Sequence, residues 1–106
     1  MNNFKAMNFD EFWAKLTELL RTKHDFSTTD QGKEFDARNA IDEISITPSS
    51  SGEKRGIKKE EFRKIWFASK KISEDLFLKP GSYTNETRHS SYIVTLMKHV
   101  QENESI

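Results

Sequence analysis

Three histidines, His24, His89 and His99, are the first side chains to test for chemistry. His89 and His99 stand ten residues apart on or near one predicted helix, so they do not share a face as an i, i+4 pair would. No carboxylate joins them in a zinc-ligand pattern. The acidic candidates for metal-dependent phosphodiester cleavage are Asp36, Asp42, Glu43 and Glu53, with Arg55 as the accompanying cation. That chemistry wants an Asp followed by a Glu-x-Lys strand. Here Arg replaces the Lys, and Glu53 falls in a loop. No Gly-x-Ser-x-Gly elbow is present, and Gly52 and Gly56 do not form a phosphate loop. There is no cysteine, which excludes disulfides and thiolate chemistry. These patterns predict no enzyme activity, no metal and no cofactor.

The stronger signal is electrostatic. Formal net charge is zero. Residues 1–53 sum to −4, residues 54–71 to +6 and residues 72–106 to −2. A neutral chain with one concentrated positive segment still presents a positive face. Lys54, Arg55 and Lys58 precede a predicted basic helix, and Lys59, Arg63 and Lys64 lie on it. A hairpin tip beside such a helix can straddle a nucleic-acid backbone. Arg88, near the start of the last helix, would add a phosphate contact there. The plainer alternative is a solvated lysine face, partly neutralised by Glu60 and Glu61.

The elements that must position these residues follow from periodicity. The chain has 106 residues, and the reading is one domain over 1–106, with 1–7 and 102–106 frayed. Only 34% of residues are apolar, so eight Phe, two Trp and two Tyr must supply much of the core. Phe9, Phe12, Trp13, Leu16, Leu19 and Leu20 form one helical stripe, capped by Asn8 with Glu11 three residues later, and fading near Lys23 or His24. Residues 25–32 read as a loop. Alternation over residues 33–38 and 42–47 predicts two strands joined by a turn over residues 38–41. A third, short strand is expected over residues 53–57. The basic helix is predicted over residues 59–71, with Phe62, Ile65, Trp66, Ser69 and Ile72 facing inward and Lys58 as N-cap. The last helix is expected from Thr87 to about Gln101, with Tyr92, Ile93, Leu96, Met97 and Val100 as its stripe. The fold class is therefore α+β: an N-terminal helix, a two- or three-stranded antiparallel meander, then two helices, all packed on one sheet face.

Phe67, Leu76, Phe77, Leu78 and Tyr83 are many apolar groups to bury in so small a domain. They predict a partner surface, with a homodimer as the simplest occupant. No apolar run resembles a signal peptide or is long enough to span a membrane, so the expected setting is the cytoplasm.

The series Ile44-x-Ile46-x-Pro48-Ser49-Ser50-Ser51-Gly52, Arg55-x-Ile57, Phe62-x-x-x-Trp66, Pro80-x-x-Tyr83 and Ser90-Ser91-Tyr92-Ile93 resembles small bacterial α+β proteins of mobile elements. These occur in integron gene cassettes, in prophages and beside restriction enzymes. The likeness spans roughly residues 33–100 and rests on core and turn positions. It implies a DNA-linked role and a dimer, and it carries over no catalytic residue. Two expectations result. The first is a non-enzymatic nucleic-acid-binding accessory module for DNA or RNA. The second is a dimeric protein-interaction adaptor or small-ligand-binding protein.

Overall fold

A computed structural model describes residues 7–29, 31–71 and 89–104. In chain order the elements are α1 (Phe9–Leu19), β1 (Asp25–Ser27), β2 (Glu34–Ala40), β3 (Glu43–Pro48), β4 (Arg55–Lys58), α2 (Lys59–Ser69) and α3 (Ser90–Glu104). The fold is α+β. The four strands form one antiparallel sheet in the order β1-β2-β3-β4.

α1 begins as the Asn8-Glu11 pair predicts. The Asn8 side-chain oxygen accepts the Glu11 N–H at 2.8 Å, and the Asn8 amide donates to the Glu11 carboxylate at 2.9 Å. One otherwise unpaired N–H of the first turn is thereby satisfied. The helix ends at Leu19, short of the expected Lys23 or His24. Sheet pairing is the reason: Ala37 N–H donates to the His24 carbonyl at 2.9 Å, and β1 starts at the next residue.

β1 corrects the expectation of two or three strands. Residues 25–32 are not all loop: Asp25, Phe26 and Ser27 pair with Asp36, Phe35 and Glu34. A three-residue strand with a single apolar side chain has no alternation to read. The stacking of Phe26 on Phe35, centroids 5.6 Å apart, anchors it in the core. β2 also runs two residues beyond the expected Arg38. The turn is Ile41-Asp42, not residues 38–41, and Asp42 takes φ 54°. Aspartate tolerates this left-handed conformation better than most residues. β4 is Arg55–Lys58 rather than residues 53–57.

Phe26, Phe35, Ala37, Ile44, Ile46 and Ile57 point to one sheet face and are buried. The helices supply the rest of a single core cluster, from Phe12, Leu16, Phe62, Ile65, Trp66, Ile93, Leu96 and Met97. The outer face carries Asp36, Arg38, Ser45, Thr47 and Lys58 by strand alternation. α3 is tied to the β1–β2 connection by Thr95. Its hydroxyl accepts the Thr29 N–H at 3.1 Å and donates to the Ser91 carbonyl at 2.7 Å. α2 and α3 are joined at their starts, where the Glu61 carboxylate meets His89 Nδ1 at 3.2 Å. α3 runs to Glu104, past the expected Gln101.

A close aromatic contact joins α1 to α2. Phe12 stacks on Trp66 with centroids 4.7 Å apart, and both are essentially inaccessible to solvent. Removing a ring from such a site deletes transfer free energy and leaves a cavity. Phe12→Ala is expected to destabilise the fold by about 3–5 kcal/mol, measured by urea denaturation followed by tryptophan fluorescence.

Candidate nucleic-acid interface

The basic segment folds as β4 running directly into α2. Lys58 is the N-cap, in extended conformation. Its ammonium cannot accept a hydrogen bond, so the side chain does not cap the helix. The compensation comes from neighbours. Lys58 N–H donates to Glu61 Oε2 at 3.3 Å, and Lys59 N–H donates to the Asp42 carbonyl at 2.8 Å. The helix start is thus bound to the β2–β3 turn. Its C-terminal end stops at Ser69, two residues before the expected Lys71, and the Ser69 hydroxyl donates to the Trp66 carbonyl at 2.6 Å.

The six cations expected on β4 and α2 do not share one face. Arg55 and Lys58 are both exposed but project from opposite faces of β4, because Arg55 pairs with Ile46 on the inner-face register and Lys58 with Glu43 on the outer one. Lys54 is exposed in the turn before the strand. Lys59 and Arg63 lie across α1. The Lys59 ammonium sits 5.5 Å from the Trp13 ring centroid and the Arg63 guanidinium 5.2 Å from that of Phe9. Lys70 extends the row, 4.4 Å from the Trp66 centroid, with Nζ donating to the Met7 carbonyl at 3.1 Å. Arg63 is also paired with Glu60 at 3.0 Å. This row seals the edge of the aromatic layer by cation–π contact while its charged ends stay wet. Lys64 and Lys71 lie beside it and are exposed. Arg88 falls outside the described residues.

Phe67 is the one partner-surface residue that can be placed; Leu76, Phe77, Leu78 and Tyr83 lie outside the described residues. It is 56% exposed, on the outer side of α2. A groove of about 490 Å³ opens beside it, where Phe67, Arg63 and Lys70 face Met7, Asn8 and Asp10 over the edges of Phe9 and Trp66. Helical periodicity leaves Phe67 off the inward stripe of Phe62, Ile65, Trp66 and Ser69 but gives no measure of its exposure.

Among the described residues no three His, Asp or Glu side chains converge on a metal-sized site. Asp36 pairs with Arg38 at 3.0 Å on the outer sheet face. Among the described residues no helix is long and apolar enough to cross a membrane. Comparison with protein-family models, with curated proteins and with solved structures returned no match.

A second hollow, of about 530 Å³, lies where α3 passes β1 and β2. Lys23, Asp25, Glu34 and His99 are its titratable walls. The His99 ring stands edge-on to Phe26, centroids 4.9 Å apart. Burial lowers the His99 pKa below its ordinary value, Lys23 and Lys98 lower it further, and Glu102 acts in the opposite direction. The unfolded chain therefore binds a proton on His99 at a higher pH than the folded protein does. His99 contributes stability that is present above the ordinary value of about 6.5 and is lost as pH falls through the lowered one. Thermal melts between about pH 7.5 and about pH 5 are expected to show a steeper loss of Tm for the unmodified protein than for His99→Gln.

Proposed function

We propose that the protein is a non-enzymatic nucleic-acid-binding accessory module whose β4–α2 segment supplies the phosphate contacts. One observation carries the reading. Lys54, Arg55, Lys58, Lys64 and Lys71 are all exposed, and no carboxylate among the described residues is ion-paired with any of them. Surplus positive charge held on consecutive elements is what a polyanion recognises. The reading keeps the cytoplasmic setting inferred from the sequence and gives no preference between DNA and RNA.

Self-association is the second reading. The exposed ring of Phe67 favours it together with the groove beside it, since an apolar surface larger than one side chain is what a partner covers.

Charge reversal tests the first reading best at residues that do not hold the fold together. Lys59 and Arg63 cover aromatic rings, so reversing them would also disturb packing. Lys54→Glu, Arg55→Glu and Lys64→Glu act on exposed cations away from the helix cap. Fluorescence anisotropy with a labelled oligonucleotide is expected to show binding that weakens by roughly 10²–10³ between about 50 and about 200 mM salt, as about five phosphate contacts require. The triple variant is expected to lose most of that binding and to melt like the unmodified protein. Unchanged binding by the triple variant would remove the phosphate contacts from this segment.

A further inference from the structure

Phe67 has a setting that neither a core residue nor a lone surface apolar group needs. On a helix, residues three and four positions away are its surface neighbours. For Phe67 these are Arg63, Lys64, Lys70 and Lys71: four cations, one at each such position. Lys70 and Lys71 stay in register because the chain continues in turn geometry beyond Ser69, with Lys70 at φ −69°, ψ −19° and Lys71 N–H donating to the Ala68 carbonyl at 3.0 Å. The result is an exposed flat ring framed on both sides by positive charge.

The frame bears on the occupant. A symmetric homodimer centred on Phe67 would press the exposed Lys64 and Lys71 against their own copies across the axis, Arg63 being paired with Glu60, and like charges in contact disfavour the pair. An apolar partner would strip water from the Lys64 and Lys71 ammonium groups, with which no carboxylate among the described residues is ion-paired. A polyanion carrying flat, unsaturated rings satisfies both parts of the patch. Phosphates meet the cations and a base lies on Phe67. A base within a duplex has both faces covered by its neighbours, whereas an unpaired base has a face to offer. The groove between Arg63 and Lys70 leaves open space beside the ring. Phe9 and Trp66 are buried beneath those cations, and Asp10 also lines the groove. The ring of Phe67 is therefore the stacking face, and phosphates fall to its Lys64 and Lys71 side.

We infer that Phe67 is a base-stacking platform and that the nucleic acid bound by this protein is single-stranded. The inference rests on the nucleic-acid reading above and deepens it. Arg63 and Lys70 form the rim held in place by their aromatic contacts, and Lys64 and Lys71 form the solvent-facing rim.

The test compares three labelled probes at low salt: a single strand of about ten nucleotides, the same length built of abasic sites, and the corresponding duplex. The unmodified protein is expected to bind the single strand at least about tenfold more tightly than either other probe. Phe67→Ala is expected to lose about tenfold on the single strand and nothing on the abasic strand, and Phe67→Trp to retain binding. Thermal melts confirm that both variants fold. Equal binding of all probes by the unmodified protein and Phe67→Ala would overturn the stacking role and leave the phosphate contacts standing. Duplex binding as tight as single-strand binding would overturn the choice of partner alone. Binding to none of the probes would remove both readings. A dimer in sedimentation that Phe67→Ala converts to monomer, with nucleic-acid binding unchanged, would assign the ring to self-association instead.

Discussion

The stack of Phe12 on Trp66, centroids 4.7 Å apart, is the contact on which the rest of the arrangement depends. It joins the amino-terminal helix to the basic one across a long stretch of chain. Around it Phe9, Trp13 and Phe62 complete an aromatic layer, with centroid separations between 5.3 and 6.4 Å. With only 34% apolar residues, the chain has few aliphatic groups to spend on a second core. Large rings compensate because each removes a large area from water and gains a further increment from edge and offset contacts.

The same layer determines what the basic helix has left to offer. Its inner face goes to Phe62, Ile65 and Trp66. Its near edge lays Lys59, Arg63 and Lys70 over α1 rings or over Trp66 itself. These cations have a packing role as well as a charge. The remaining edge carries Lys64, Phe67 and Lys71 into solvent. Charge and apolar surface are therefore sorted by one helix rotation, and that rotation is set by the aromatic contacts. The beginning of α2 is held by a different device. Glu61 receives the Lys58 N–H and meets His89, so one carboxylate joins the β4–α2 junction to the start of α3.

Much of this was legible in local sequence. The Asn8-Glu11 cap, the stripe from Phe9 to Leu16, the alternation of Ile44 and Ile46 and the positive segment from Lys54 to Lys71 all express short-range rules of period and capping. Where the reading failed, the missing information was long-range. β1 has one apolar side chain in three residues and exists because Phe35 and His24 offer it a partner. α1 stops early because the same pairing claims the residues that follow. The Ile41-Asp42 turn is two residues long because the strand register places Ala40 opposite Glu43, which no residue in the turn declares.

By itself the sequence determined the α+β class, the single basic segment and the lack of thiol chemistry. Each of these follows from residue type and spacing within one element. Only the tertiary structure decided how the basic residues are shared out. Lys59 and Arg63 cover rings from a helix some fifty residues earlier, Arg55 and Lys58 part to opposite sheet faces, and Phe67 stays in water. Helical periodicity gives the angle of a side chain about its own axis. What stands at that angle depends on which other element packs there, and that is a property of the folded core.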